Sequence, residues 1–208
     1  FGAHAVRAAL LAGVVDIGEN YGSELLATAH AITPDNGPAP RWHFLGSIQR
    51  RQLRKLAPIV AVYESVDRLD EGEAIARHAP GATVYVEIDA TGIEGRGGVA
   101  PGDADALIAG LRAFELDVAG VMTIAPPGGG RAVEAAFTAA KGVAERCGLV
   151  ECSMGMSDDL EAAVEEGGDR RVESDLGRAA GADVGVELSH APVDDVAHRG
   201  AAGDVADG

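Results

Sequence analysis

Short apolar runs alternate with amphipathic stretches along most of this chain. Val14–Ile17, Trp42–Leu45, Ile59–Tyr63, Thr83–Ile88, Val118–Ile124 and Val150–Ser153 read as strands, and Arg170–Ser174 as a further one. In Thr83–Ile88 the period is two, with Val84, Val86 and Ile88 on one face and Tyr85 on the other. Between the strands, residues 3–12, 22–31, Ile48–Leu56, Val66–His78, Asp103–Phe114, 131–147 and Asp158–Glu166 repeat apolar positions at helical spacing. Gly13 and Pro58 stand where helix stops belong. Each strand but the last is followed by a helix, which predicts a parallel sheet in an α/β fold. The strand count is one short of a (β/α)8 barrel. An open doubly wound sheet fits the same count, but the short strands and the lack of a G-x-G-x-x-G turn after the first strand weigh against it.

The 208 residues suit one domain. Residues 178–208 break the pattern: they are mostly Ala, Gly, Asp and Val without a period, and are expected to form a disordered tail. Asp plus Glu outnumber Lys plus Arg by 33 to 17, a formal net charge of −16, which argues against a nucleic-acid partner needing a basic face. The basic run Gln49–Lys55 is expected to be a solvated helix face. No apolar run reaches the roughly 18–20 residues that span a bilayer, and no signal-peptide pattern follows Phe1. Cys147 and Cys152 are too few for a disulfide framework and are expected to be small buried side chains in a reducing, cytoplasmic setting. The glycine-rich Gly92–Gly98 lacks the G-K-[ST] ending of a phosphate loop and reads as a flexible connection.

In a βα barrel, chemistry collects at the C-terminal ends of the strands. Polar residues cluster there: Gly18-Glu19-Asn20-Tyr21, Glu64–Arg68, Ile88-Asp89, and Ser153–Asp159. In the last of these a strand passes through Gly155 to Ser157, which sits at an expected helix N-cap where free N–H groups favour a phosphate. A purely structural cap would use the same residue. His43, beside Trp42 at a strand end, is expected to support the core or a neighbouring site rather than act in acid–base chemistry. No histidine spacing indicates a metal.

Five of these stretches together resemble the pyridoxal phosphate homeostasis protein family, which shares the alanine-racemase N-terminal barrel. They are Asp16–Tyr21, Trp42–Arg50, Glu64–Arg68, Gly120–Ile124 and Ser153–Ala163, in the family's order and spacing, within a resemblance that covers about residues 1–177. The resemblance implies a (β/α)8 TIM barrel of the alanine-racemase N-terminal type, with its first strand missing from this chain. It implies pyridoxal 5′-phosphate as cofactor, no catalysed reaction, and a role in intracellular supply of that cofactor, with pyridoxal-phosphate-dependent apoenzymes as candidate recipients. Carried over by position, Asn20 would lie near the cofactor ring, Met154 beside it, Ser157 on the phosphate, Arg171 at the pyridine nitrogen, and Ser174 on the phosphate.

Two departures temper that reading. The family holds its cofactor as a Schiff base on a lysine at the end of the first barrel strand. This chain has only Lys55 and Lys141, neither at a strand end. It reads as starting just after that lysine, so two strand edges would lie unpaired and prone to aggregation. Glu173 also stands where the family has a glycine beside the phosphate. A racemase-like enzyme would need a second base, for which the residues after Gly177 offer no pattern, and a cofactor-free barrel is the remaining alternative.

Overall fold

The alternating apolar runs become strands of one parallel sheet, because strands joined by helical crossovers can only pair in parallel. A computed structural model of the chain describes residues 2–32, 39–93, 95–156 and 159–165. In chain order these form α1 (Gly2–Leu11), β1 (Asp16–Glu19), α2 (Gly22–Ala31), β2 (Arg41–Phe44), α3 (Arg50–Leu56), β3 (Val60–Val66), α4 (Leu69–His78), β4 (Thr83–Glu87), α5 (Ala104–Ala113), β5 (Asp117–Met122), α6 (Arg131–Cys147), β6 (Glu151–Ser153) and α7 (Leu160–Glu165). Strand order in the sheet is β1-β2-β3-β4-β5-β6, the order of the chain. The expected strand Arg170–Ser174 and the tail 178–208 lie outside the described residues.

Several boundaries differ from expectation, most of all around β1, β3 and α3. The first strand is Asp16–Glu19 rather than Val14–Ile17, since Asp16, Ile17, Gly18 and Glu19 align with Arg41, Trp42, His43 and Phe44 of β2. Gly13, at φ +87°, ends α1 as expected, with the N–H of Val14 reaching Ala9 O at 2.9 Å and the N–H of Gly13 reaching Leu10 O at 3.0 Å. The third strand runs on to Val66, and α4 begins at Leu69 rather than Val66, because Glu64, Ser65 and Val66 are all buried within the sheet. The helix expected from Ile48 begins at Arg50, with Gln49 extended at φ −105° and ψ 106°.

One face of the sheet packs on the helices. Ile17, Trp42, Phe44, Val84, Val86 and Val121 meet Leu25, Leu53, Ile75, Ile108 and Phe137 there, all buried. Full burial of each such side chain stabilises by about 1.5–3 kcal/mol. Tyr63 belongs to this layer; its hydroxyl is buried without a hydrogen-bond partner, and burial pushes its pKa up to about 12.

The opposite face is concave, and one contact proves the curvature. Ser153 Oγ of β6 donates to Glu64 Oε2 of β3 at 2.5 Å. In a flat sheet, strands three positions apart lie about 14 Å from each other, beyond the reach of these two side chains. The sheet therefore curls as a partial (β/α) barrel. Its strand ends are held close: Ser65 Oγ donates to Gly46 O at 2.5 Å, and a Cβ on Gly46 would lie 1.9 Å from Asn20 O. At the start of α4, Glu71 is 2% exposed, pairs with Arg68 and accepts the N–H of Asp67 at 3.2 Å. Burial outweighs these partners and pushes its carboxyl up to about 7.

Three outcomes follow from this packing. Gly46→Ala should destabilise by about 3 kcal/mol, whereas Gly142→Ala on α6, with nothing within 4 Å of the added methyl, should stabilise by about 0.5–1 kcal/mol; urea titration reads both. Tyr63→Phe, which removes an unpartnered hydroxyl, should leave stability unchanged or raise it by about 1 kcal/mol, seen as a higher thermal midpoint. Because the fold favours neutral Glu71, its contribution to stability is present below the ordinary 4.5 and is lost as pH rises through about 7. Denaturation midpoints across that window should fall less steeply in Glu71→Gln than in the unmodified chain.

Candidate functional site

The concave face carries few apolar groups and many polar ones. Val62, Tyr85 and Met122 form a small apolar patch with Ala119 against it. Around them run buried hydrogen bonds. His43 Nδ1 lies 2.6 Å from Glu64 Oε1, and its Nε2 lies 3.0 Å from Asp16 Oδ1. Asp16 Oδ1 also accepts from Arg41 Nη1 at 3.2 Å. Glu64 continues to Ser153, and the Tyr85 hydroxyl donates to Glu151. Asp16, His43, Glu64 and Ser153 are 4%, 2%, 0% and 7% exposed, so solvent does little to screen them. Burial raises the Asp16 carboxyl, but the hydrogen bonds and charges of His43 and Arg41 outweigh it and hold the group below its usual range.

The C-terminal ends of the strands form the rim. Glu19 closes β1 and is buried; its Oε1 accepts the N–H of Asn20 at 3.0 Å and of Tyr21 at 3.3 Å, while burial raises its pKa. These bonds fix Asn20, which is partly exposed, at the mouth of a cleft of about 230 Å³ lined also by Ser23, Phe44, Ser47 and Gln52. That volume is below the roughly 300 Å³ at which small-molecule pockets begin, so the cleft is too small to enclose a whole drug-sized molecule. Across the rim, Met154 directly follows inward-facing Ser153. It is 4% exposed and packs into the layer between sheet and helices, as strand alternation requires. Gly155 then turns the chain at φ +95°, and Asp159 accepts the N–H of Met156. Asn20 and Met154 thus stand at opposite edges of the sheet and do not share the cleft. Ser157, Arg171 and Ser174 lie outside the described residues, as do Asp158 and Glu173.

The segment between β4 and α5 arches over the same rim. Asp89 Oδ1 accepts the N–H groups of Thr91 and Gly92, at 2.9 Å and 3.1 Å, and the Thr91 hydroxyl at 2.7 Å; these bonds hold its carboxyl below the usual range. The N–H of Gly98 donates to Asp67 Oδ2 at 3.0 Å, and Arg96 Nη2 reaches Ile124 O at 3.1 Å and Ala125 O at 3.3 Å. Contrary to the expectation of a flexible connection, this segment is tied down at both ends. Beneath it, burial and the charge of Asp67 push Glu87 up to about 7, against the pull of Arg96.

His43 stands where a supporting residue was expected, but its partners Asp16 and Glu64, and Ser153 beyond Glu64, were not foreseen. The available signal was their polarity at inward positions of otherwise apolar strands. Lys55 lies exposed on α3, and Lys141 half-buried on α6, so neither amine stands on the rim. Cys152 is buried and Cys147 half-buried. Among the described residues no group of three or more His, Cys, Asp or Glu could hold a metal ion, and no helix is long and apolar enough to cross a membrane.

Comparisons with known proteins agree with this architecture. The family model for the alanine racemase N-terminal domain matches residues 1–177. The pyridoxal phosphate homeostasis protein of Pseudomonas aeruginosa is 36% identical over 175 residues, covering 79% of this chain and 74% of that protein. The protein of the same name from Deinococcus radiodurans is 33% identical over 166 residues, covering 78% and 77%. Among solved structures, PipY of Synechococcus elongatus, determined with PLP bound, superposes with a TM-score of 0.69 at 29% identity, over 80% of this chain and 82% of PipY. The curled parallel sheet, the strand-end motifs and these matches together make the chain a member of the alanine racemase N-terminal domain family, among its pyridoxal phosphate homeostasis proteins.

Proposed function

We propose that this chain binds pyridoxal 5′-phosphate at the C-terminal rim of its sheet and serves the intracellular supply of that cofactor, without a reaction of its own. The observation that carries this reading is the likeness, over most of both chains, to proteins named for pyridoxal phosphate homeostasis. The curvature of the sheet supports it, since that gathers the strand ends around one concavity. When bound, the coenzyme supplies an electrophilic aldehyde and a phosphate dianion. The left-handed turn at Gly155 suits an anion, because it lets backbone N–H groups converge. Ser157 next to that turn, with Ser174, would hold the phosphate; Asn20 would face the ring; Arg171 would donate to the pyridine nitrogen. Met154 would anchor the turn from the core side. The covalent part does not fit these residues, as neither lysine reaches the rim.

Apoenzymes that need the coenzyme are the natural recipients of such a carrier, and the cytoplasm its natural compartment. A carrier needs no group that moves a proton on a bound amino acid, and two acids of the rim are engaged elsewhere: Glu19 with backbone N–H groups, Asp89 with Thr91 and Gly92.

Equilibrium dialysis against pyridoxal 5′-phosphate should find one equivalent bound, displaced by inorganic phosphate. Ser157→Ala should weaken retention about tenfold, the worth of one charge-assisted hydrogen bond. Borohydride treatment should leave the coenzyme dissociable from these 208 residues. Accelerated α-proton exchange in an amino acid, above that given by free coenzyme, would instead make the protein an enzyme.

A further inference from the structure

The concave face holds a histidine between two acids, each within hydrogen-bond distance of one ring nitrogen. A carboxylate oxygen can only accept. Asp16 accepts from Arg41, and Glu64 from the Ser153 hydroxyl, bonds that favour the ionised form of each carboxyl. Each His43 nitrogen faces one of them, at 2.6 Å and 3.0 Å. With both carboxyls ionised, both nitrogens carry hydrogens. Charge agrees with this, since an imidazolium is attracted to a carboxylate on each side. Among the described residues, Asp16 from β1, Arg41 on its own strand, Glu64 from β3 and Ser153 from β6 face this centre. On the same concave face, Tyr85 of β4 pairs with Glu151 of β6.

We infer that His43, held as an imidazolium between Asp16 and Glu64, is a positioning residue for the cofactor site: through Glu64 it sets Ser153, and so the turn at Met154-Gly155-Met156. This rests on the function proposed above. The chain of bonds reaches from β1, which leads to Asn20, to β6, which leads to Gly155. It therefore spans both sides of the rim that a ligand would touch. Loss of one ring proton would set a nitrogen lone pair against a carboxylate at hydrogen-bond distance. The chain would open at that link, and Glu64 would keep its bond to Ser153 without the far end of the chain to orient it.

The experiment combines two readouts on the full 208-residue chain. Nitrogen-15 NMR of labelled histidine should show both His43 nitrogens protonated at pH 7.5, a signal absent from His43→Gln. A neutral ring that titrates near the usual value of about 6.5 would overturn the inference. Dialysis against pyridoxal 5′-phosphate should show retention falling on the alkaline side as His43 loses its proton. His43→Gln should bind about tenfold more weakly at pH 7.5 and lack that alkaline limb, a scale typical of residues that orient a site through its neighbours. Titration of the coenzyme itself is common to both chains and cancels in the comparison. Ser153→Ala should weaken retention several-fold with its thermal midpoint little changed; should His43→Gln fail to fold, this variant decides. If the unmodified chain binds the coenzyme and both variants match it at every pH, the positioning role is wrong while the proposed function stands. If the unmodified chain binds none, the proposed function fails and the positioning role with it, whatever the NMR shows of the ring.

Discussion

A parallel sheet becomes a vessel only when its curvature is fixed, and here the fixing element is the buried run of hydrogen bonds from Asp16 through His43 and Glu64 to Ser153. The two faces of the sheet divide the work. On the helix side, Ile17, Trp42, Phe44 and their neighbours contribute about 1.5–3 kcal/mol each, so most stability lives there. Inside, ionised groups bring little net stability, because desolvation offsets their attraction. Deleting one partner and stranding the other still costs about 3–5 kcal/mol. Such a network tolerates one geometry and penalises the rest, which is what a rim built from distant strands requires.

The regular parts of the fold were legible from spacing. Helix α6 occupies the stretch 131–147 that its periodicity marks, and β6 ends at Ser153 as its apolar run does. The misplacements share a cause. Val14 and Val15 have the strongest strand character near β1, yet the paired residues are Asp16–Glu19, because Gly18 lies beside His43 and the Glu19 carboxylate is satisfied by two N–H groups of its own turn. At β3, Glu64 looks like the end of a strand and is part of its middle, since its charge is met by His43 and Ser153. Local patterns cannot distinguish a polar residue that leaves the sheet from one whose partner arrives from elsewhere in the chain.

The site was less legible for the same reason. His43 could be singled out by its place beside Trp42, but Glu64 is 21 residues away in sequence and Asp16 is 27. No short motif encodes that meeting. The strand-end stretches were recognisable because they resemble a family's motifs, which carry tertiary information that periodicity lacks. In Gly92–Gly98 composition misled: glycines suggested freedom, whereas Asp67 fixes Gly98 and two carbonyls after β5 fix Arg96.

Strand order that matches chain order has a kinetic meaning as well. Each βα unit docks on the one synthesised just before it, so pairing from β1 to β5 can advance with the emerging polypeptide on the ribosome. The bond that spans the interior joins residues 89 positions apart and must wait for β6. Until then Glu64 lacks the Ser153 hydroxyl as a donor, and the nascent intermediate remains wet on the side where Asp16, His43 and Glu64 end up buried.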